Sequence, residues 1–196
     1  MALRLLPVSG HRRMPWKNGG GITTEIAISP EGASLDSFDW RISLADVESD
    51  GAFSLFADCE RTLGVLQGEG LDLDFGKGRV ERLDQHSPPF RFAADVPVTG
   101  RLHMGPIRDL NVMTRRGKAQ HTVKRLVLQG WQKLSTNSDI LLLIAITTPV
   151  HLRHDSKRYR LDAGDGVIVQ QATDQLISIE GQDALAYVIE IDASGC

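Results

Sequence analysis

Residues 65–71 read VLQGEGL, and this stretch decides the local fold. Apolar residues lead into two glycines and another apolar residue follows. A short β-type run therefore ends, the backbone reverses where glycine permits a left-handed conformation, and a second run begins. We predict a tight hairpin between strands at 62–66 and 71–75. Residues 161–169, LDAGDGVIV, predict a similar reversal.

The same pattern of apolar runs separated by turn-forming residues extends over the whole chain. Glycine occurs 19 times and aromatic residues make up only 6% of the sequence, while apolar runs of four to eight residues alternate with Gly, Pro, Asp or Ser. Long helical stripes are absent, so we predict an all-β protein. The further strands are predicted at 21–29, 39–47, 80–83, 97–104, 110–115, 120–128, 140–147, 150–153, 158–161, 166–170, 176–180 and 184–191.

Blocks of comparable length lie on either side of residues 130–138, GWQKLSTNS. We therefore predict two halves, 1–129 with the ligand pocket and 130–196, which together share one compact unit. A chain of 196 residues is long enough to bury a sizeable core, roughly 70% of its unfolded surface.

Charge excludes some functional classes. The chain has 22 Lys plus Arg against 25 Asp plus Glu, a net charge of −3, and so lacks the basic field of a direct nucleic-acid binder. The apolar run at 140–146, ILLLIAI, is far shorter than the roughly 20 residues of a membrane span and predicts a buried strand. We expect a cytoplasmic protein without a membrane partner.

Two runs carry most of the functional information: residues 14–26, MPWKNGGGITTEI, and residues 105–116, GPIRDLNVMTRR. In the first, Lys17 and Asn18 precede three glycines, which let a backbone approach a ligand closely or permit a bulged strand entry. The glycines match no nucleotide-binding fingerprint, because no helix clearly follows them. We predict a shaped polar pocket without a nucleotide cofactor.

Side-chain alternation assigns residues to this pocket. Along 39–47, Arg41 and Ser43 share one face, opposite Trp40 and Ile42. If the apolar pair packs between layers, Arg41 and Ser43 project into a barrel interior able to hold one small ligand. The alternative is an Arg41 that faces solvent.

The strand at 21–29 places Thr23 and Glu25 on one face. A carboxylate at Glu25 would balance Arg41 or Arg61, or would accept a ligand N–H, because a buried charge needs a partner. The alternative is an edge-strand salt bridge.

Three further residues are candidates. Arg61 begins a strand after a polar loop, where its guanidinium is placed for a bidentate contact with a carboxylate. Asn111 and Met113 alternate onto one strand face, where they would offer an amide and adaptable apolar contact. The alternatives are an Asn that satisfies a bulge and a Met that fills the core.

A metal site is not predicted. His151 and His154 are three residues apart and so point to opposite faces of their strand, and the sequence has no His-x-His pair. His103 is the histidine we expect to point inward, as a ligand contact.

The two runs resemble the HutD/Ves family, and three segments between them support the resemblance. The segments are WRISLA at 40–45, DGAFSLF at 50–56 and RTL at 61–63, and the resemblance covers about residues 10–195. It implies a bicupin, two cupin-type β-barrel halves in one chain, with inward-facing Thr23 and Glu25. It also implies a link to bacterial histidine-utilisation operons, with a role in limiting operon expression and urocanate as ligand.

The leading hypothesis is therefore a small-molecule-binding protein that modulates histidine utilisation and binds urocanate or a related small organic acid. The alternative is a metal-independent enzyme acting on a small polar metabolite, with Glu25 as general acid or base and Arg41 or Arg61 as electrostatic stabiliser. A third hypothesis is a scaffold that contacts a transcriptional regulator. A homodimer paired through sheet edges is compatible with the fold.

Overall fold

The computed structural model describes residues 2–17, 19–154, 156–171 and 175–193. Within these ranges the chain forms seventeen strands and a 3-10 turn at Val8–Gly10, which confirms the all-β prediction. The first nine strands are β1 Ala2–Leu6, β2 Arg12–Pro15, β3 Gly21–Ser29, β4 Trp40–Val47, β5 Gly51–Ala52, β6 Cys59–Gln67, β7 Leu71–Asp74, β8 Val80–Leu83 and β9 Phe90–Ala93. The others are β10 Thr99–Leu102, β11 Ile107–Arg115, β12 Ala119–Thr136, β13 Ile140–Ala145, β14 Val150–His154, β15 Lys157–Leu161, β16 Gly166–Gln170 and β17 Gln175–Ala193.

The chain divides into two compact units. The central unit is Arg12–Ala119, and the terminal unit combines Met1–His11 with Gln120–Cys196. The division differs from the predicted one at 129/130, because that position lies inside the continuous strand β12. The first residues group with the terminal unit because β1 pairs with β16.

The described part of the central unit contains two antiparallel sheets. The large sheet has the order β2-β3-β4-β11-β6-β9 and the small sheet the order β5-β10-β7-β8. Apolar residues of both sheets form one core, so the face of the large sheet that contributes to it is the inner face. The buried members of this core are Leu63, Val65, Leu71, Leu73, Leu83, Phe92, Val98 and Ile107.

The stretch at 65–71 forms a turn, but the predicted hairpin is wrong. In the structure β6 pairs with β9 and β11, whereas β7 pairs with β8 and β10. The turn therefore carries the chain from the large sheet to the small one. Residues 161–169 also join two strands that do not pair with each other, but here both strands belong to one sheet: β15 pairs with β14, whereas β16 pairs with β1 and β13. Both turns have the glycines that the reversal needs, but local sequence does not specify which strand becomes the partner.

Gly70 is expected to tolerate no side chain. It has φ +104°, and a Cβ there would lie 2.1 Å from the carbonyl oxygen of Leu83. Strained backbone alone costs on the order of 1–3 kcal/mol, so we expect Gly70→Ala to lower the free energy of unfolding by at least about 2 kcal/mol. Denaturant unfolding measures the loss. Gly51→Ala is the control, because a Cβ at Gly51 meets nothing within 4 Å; equal stabilities of the two variants would contradict the expectation.

The terminal unit contains a seven-stranded sheet of order β1-β16-β13-β17-β14-β15, with β12 paired to β17 in its described part. The run at 140–146 supplies β13, whose residues from Leu141 to Ala145 are all buried, as predicted. Its neighbours β16 and β17 add the valines and isoleucines of an apolar core. None of the helical segments in the described ranges is long and apolar enough to cross a membrane.

Candidate ligand-binding site

Strand register gathers seven of the ten predicted site residues on the inner face of the large sheet. Residues opposite each other in neighbouring antiparallel strands project to the same side. Met113 of β11 lies opposite Arg41 of β4 and Arg61 of β6. One step along the strands, Ser43 lies opposite both Asn111 and Glu25. A third row places Ala45 opposite Thr23 and Asp109.

We call the polar members of these rows the polar face. Arg41, Arg61 and Ser43 are at most 5% exposed, so the alternative of a solvent-facing Arg41 is wrong. Trp40 and Ile42 are also buried, on the opposite side of β4, as the alternation predicted. The polar face consists of Thr23, Glu25, Arg41, Ser43, Arg61, Asp109 and Asn111.

Arg41 and Glu25 form a buried ion pair. Arg41 Nε donates to Glu25 Oε2 at 2.7 Å, and the two side chains are only 6% and 13% exposed. Strand β3, which contains Glu25, lies between β2 and β4. An edge-strand salt bridge is therefore the wrong interpretation, and Glu25 balances Arg41 as the sequence suggested.

Arg61 is a buried cation with unused hydrogen-bonding capacity. One terminal nitrogen, Nη2, donates to the Ser54 carbonyl oxygen at 3.1 Å, but Nε has no acceptor among the described residues. Burial lowers the Arg61 pKa to about 10; Asp109 opposes this shift and Arg41 adds to it. An acceptor placed beside this guanidinium would satisfy both its charge and its free N–H.

Aromatic rings surround the Arg61 guanidinium. Its central carbon lies 5.3 Å from the ring centres of Phe53 and Phe56 and 5.8 Å from that of Phe92. Rings at this distance stabilise a cation through their electron-rich faces and exclude water from it. They also provide flat surfaces for a planar ligand held by Arg61.

Asp109 belongs to the site but was missed in the sequence analysis. It is fully buried; its Oδ1 accepts a hydrogen bond from Asn111 Nδ2 at 2.5 Å, and its Oδ2 has no partner within the described structure. Burial raises its pKa to about 7, against the effects of Arg61 and the Asn111 hydrogen bond. Extending the Asn111 and Met113 alternation by one step would have found it.

The titration of Asp109 makes the free energy of unfolding fall as the pH rises, whereas a salt-bridged Asp makes it rise. Its pKa lies above the ordinary value of 3.8, so the folded chain binds more protons than the unfolded chain between these values. This stability is present below the ordinary pKa and is lost as the pH rises to about 7, at up to about 1.4 kcal/mol per pH unit.

Asp109→Asn removes this titration. We therefore expect the variant to gain stability relative to the wild type between about pH 5 and about pH 8. Chemical denaturation of both proteins at the two pH values measures the change. A constant difference between them would contradict the assignment.

Met113 and Asn111 have different roles. Met113 is 2% exposed and packs with Phe38, Cys59 and Ala94, which supports the core-filling alternative. Asn111 holds Asp109 through its amide, so it orients a carboxyl group within the polar face.

The first motif contributes less directly. Trp16 Nε1 donates to Thr23 Oγ1 at 2.8 Å, which ties the loop before β3 to the polar face. A Cβ at Gly21 would lie 2.3 Å from the Asp46 carbonyl oxygen, so this glycine permits close strand packing. Lys17 is exposed in a turn, and Asn18 lies outside the described residues.

His103 sits apart from the polar face. Its Nε2 lies 2.7 Å from Asp72 Oδ1 and its Nδ1 lies 3.2 Å from the Glu69 carbonyl oxygen, so the small sheet holds its ring. No contact seen in the described residues joins it to Arg41 or Arg61. Nothing in this arrangement supports the predicted ligand contact of His103.

A metal site does not fit the polar face. Many cupins bind a divalent metal through histidines and a carboxylate, but the described residues contain no group of three or more His, Cys, Asp or Glu able to hold one. The carboxylates present lie beside Arg41 and Arg61, which would repel a divalent cation.

An open groove of about 520 Å³ lies at the strand ends, where Arg13, Asp46, Glu48 and Arg108 contribute to its wall. Arg108 Nε donates to Asp46 Oδ1 at 2.6 Å, so these charges compensate each other. The groove shares no lining residue with the polar face.

A sequence model of the HutD family matches residues 8–187. The chain belongs to the HutD family. It is 32% identical over 186 residues to an uncharacterized 21.2 kDa protein in the hutC 3' region of Pseudomonas putida, covering 95% of this chain and 96% of the relative. The HutD family is related to the histidine-utilisation locus.

Solved structures agree with this membership. A conserved protein of unknown function from Pseudomonas aeruginosa PAO1 is 31% identical, with a TM-score of 0.89 over 98% of this chain and 100% of that one. HutD from Pseudomonas fluorescens SBW25 is 30% identical, with a TM-score of 0.85 over 99% and 100%. The predicted cupin-type fold is confirmed. Oxalate decarboxylase from Bacillus subtilis, at 8% identity and a TM-score of 0.67 over 98% of this chain and 78% of that one, shares the fold alone.

Proposed function

We propose that this HutD-family protein is a small-molecule-binding protein that modulates histidine utilisation by holding urocanate or a related small organic acid on its polar face. The observation that carries the proposal is Arg61, a buried cation whose Nε has no acceptor among the described residues. Such a group is costly to bury unless a partner arrives.

The charges on the polar face favour an anion. Arg41 and Glu25 neutralise each other at 2.7 Å. Asp109, with a pKa of about 7, is only partly ionised at neutral pH and so compensates Arg61 incompletely. A bound carboxylate would restore the balance through charge-assisted hydrogen bonds to Arg61.

Urocanate suits this environment in outline. Its carboxylate would bind Arg61, its planar conjugated body would lie along the rings of Phe53 and Phe56, and its imidazole would reach the amide and carboxyl groups of β11. A binding protein needs only this complementarity, with no group placed to stabilise a transition state.

Calorimetric titration with urocanate tests the proposal, on purified protein whose metal content has been measured. Saturable binding is expected. Urocanic acid methyl ester is the control ligand, because it keeps the ring and loses the anionic charge. Absence of binding to the wild type would remove urocanate as the direct ligand, and equal binding of the ester would remove the carboxylate as the recognised group.

A metal-independent enzyme is the second candidate, and Asp109 favours it. A buried acid with a pKa of about 7 can both donate and accept a proton at neutral pH. Glu25 suits this role less well, since Arg41 engages one of its oxygens. Turnover of urocanate, followed by loss of its ultraviolet absorbance and abolished in Asp109→Asn, would support an enzyme.

The other expectations stay predictions. They are a cytoplasmic location, the absence of direct nucleic-acid and membrane contact, and a homodimer.

A further inference from the structure

Two buried polar atoms on the inner face lack partners in the described structure: Asp109 Oδ2 and Arg61 Nε. One belongs to an acid and can accept a hydrogen bond, whereas the other is an N–H donor. Buried groups of this kind are nearly always satisfied in folded proteins, by protein, water or ligand. Their joint presence points to a ligand with complementary groups at two places.

The two groups are separated along the sheet. Arg61 lies opposite Met113, and Asp109 is four residues earlier on β11, beyond Asn111. Two residues advance a strand by roughly 6.8 Å, so the Arg61 and Asp109 rows are well apart at the backbone, and the long Arg61 side chain reduces that gap. Arg61 and Asp109 also act on each other's pKa, so their side chains are near enough for one small molecule with two polar groups to meet both.

The surroundings of Asp109 fix its carboxyl group. The Asn111 amide donates to Oδ1 and thereby commits one oxygen. On the neighbouring strands Asp109 is flanked by Ala45 and Val65, neither of which offers a polar side chain.

We propose that Asp109 is the specificity-determining residue of the site and selects small acids that carry an N–H or O–H group remote from their carboxylate, by accepting that hydrogen at Oδ2. The inference rests on the proposed function, in which Arg61 holds the carboxylate. An acid without the donor would bury Asp109 Oδ2 without a partner, which disfavours its binding.

The raised pKa of Asp109 is consistent with this role. Burial disfavours the ionised carboxyl group in the free protein. A ligand N–H that donates to Oδ2 stabilises the ionised form, so the selected ligand supplies an interaction that the empty face lacks.

Two matched ligands test the inference on the wild-type protein. Urocanate and trans-3-(2-furyl)acrylate have the same acrylate carboxylate and a five-membered aromatic ring, but the furan has no N–H. We expect calorimetry to give at least about fivefold weaker binding of furylacrylate, because its binding leaves a buried group unpaired. Asp109→Asn is expected to narrow the ratio to within about threefold, because an amide can donate as well as accept.

The control variant is Asp74→Asn. Asp74 is a half-buried carboxylate of the small sheet, paired with Arg101, and its replacement should leave the ligand ratio at the wild-type value. Thermal melting checks that each variant is folded. If Asp109→Asn is not folded, Asp109→Ala carries the same comparison, since alanine has no side-chain acceptor for the ligand N–H.

The outcomes separate the two proposals. If the wild type binds neither ligand, the proposed function fails with urocanate and the inference fails with it. If the wild type binds both ligands equally, the inference is overturned while the binding function stands. If the preference for urocanate over furylacrylate is unchanged in the Asp109 variant, the inference is also overturned, because another group would then accept the ligand N–H.

Discussion

Replacing Arg61 by alanine is expected to weaken urocanate binding by at least about thirtyfold. The substitution removes the buried cation that the proposed carboxylate would meet, and truncating one partner of a buried, hydrogen-bonded charge pair costs about 2–5 kcal/mol. Since each 1.4 kcal/mol is a factor of about ten in affinity, calorimetric titration of wild type and variant resolves the change.

Two further variants make the Arg61 result specific. Arg101→Ala removes an arginine of the small sheet that pairs with Asp74, away from the polar face, and should leave urocanate affinity unchanged. Arg61→Lys keeps the charge but loses the planar fork, so it should bind with intermediate affinity. Unchanged affinity in a folded Arg61→Ala protein would remove Arg61 from the site.

Alternation along single strands predicted much of the polar face. Arg41 and Ser43 were correctly assigned to one face of their strand, because Trp40 and Ile42 are apolar and side chains alternate with a period of two. Thr23 and Glu25 followed from the same rule. Period alone predicts which residues share a face, but not which strands become neighbours.

Neighbouring strands could not be identified from the sequence. Glu25 is 16 positions from Arg41, and Asp109 is 48 positions from Arg61; only the order β3-β4-β11-β6 brings them together. Asp109 was missed for a different reason. The strand was predicted to begin at residue 110, whereas β11 begins at Ile107, so the alternation was not extended to Asp109.

Turn prediction was limited in the same way. The glycines near Gly70 mark a reversal correctly, but the reversal joins two sheets rather than two paired strands. Residues 130–138 were predicted as the boundary because blocks of comparable length lie on either side, yet β12 continues to Thr136. Similarly, β17 is one strand where two were predicted. A long strand paired along its length tolerates polar residues on an exposed side.

The Arg41–Glu25 pair leads to the second large expectation, which concerns stability. Glu25→Gln keeps the size of the side chain but leaves Arg41 charged and buried, on a face that also holds Arg61. Breaking a buried ion pair by removing one partner costs about 3–5 kcal/mol. We expect a loss of this size in the free energy of unfolding, measured by denaturant titration.

A surface pair provides the comparison. Glu60 pairs with Arg91 and Arg116, whose side chains are 46% and 39% exposed, so Glu60→Gln should cost under about 1 kcal/mol.

Removing both charges of the buried pair should restore most of the stability. In Glu25→Gln with Arg41→Met, no unpaired cation remains and the methionine fills the space of the arginine stem, so the double variant should be more stable than Glu25→Gln alone.

The same double variant distinguishes a role of the Arg41–Glu25 pair in stability from a role in ligand binding. If the ion pair is retained for stability, the double variant should be less stable than Glu25→Gln. If the pair positions the polar face for a ligand, the double variant should fold well but bind urocanate poorly. A Glu25→Gln protein as stable as Glu60→Gln would show that Arg41 does not depend on Glu25 for its charge compensation.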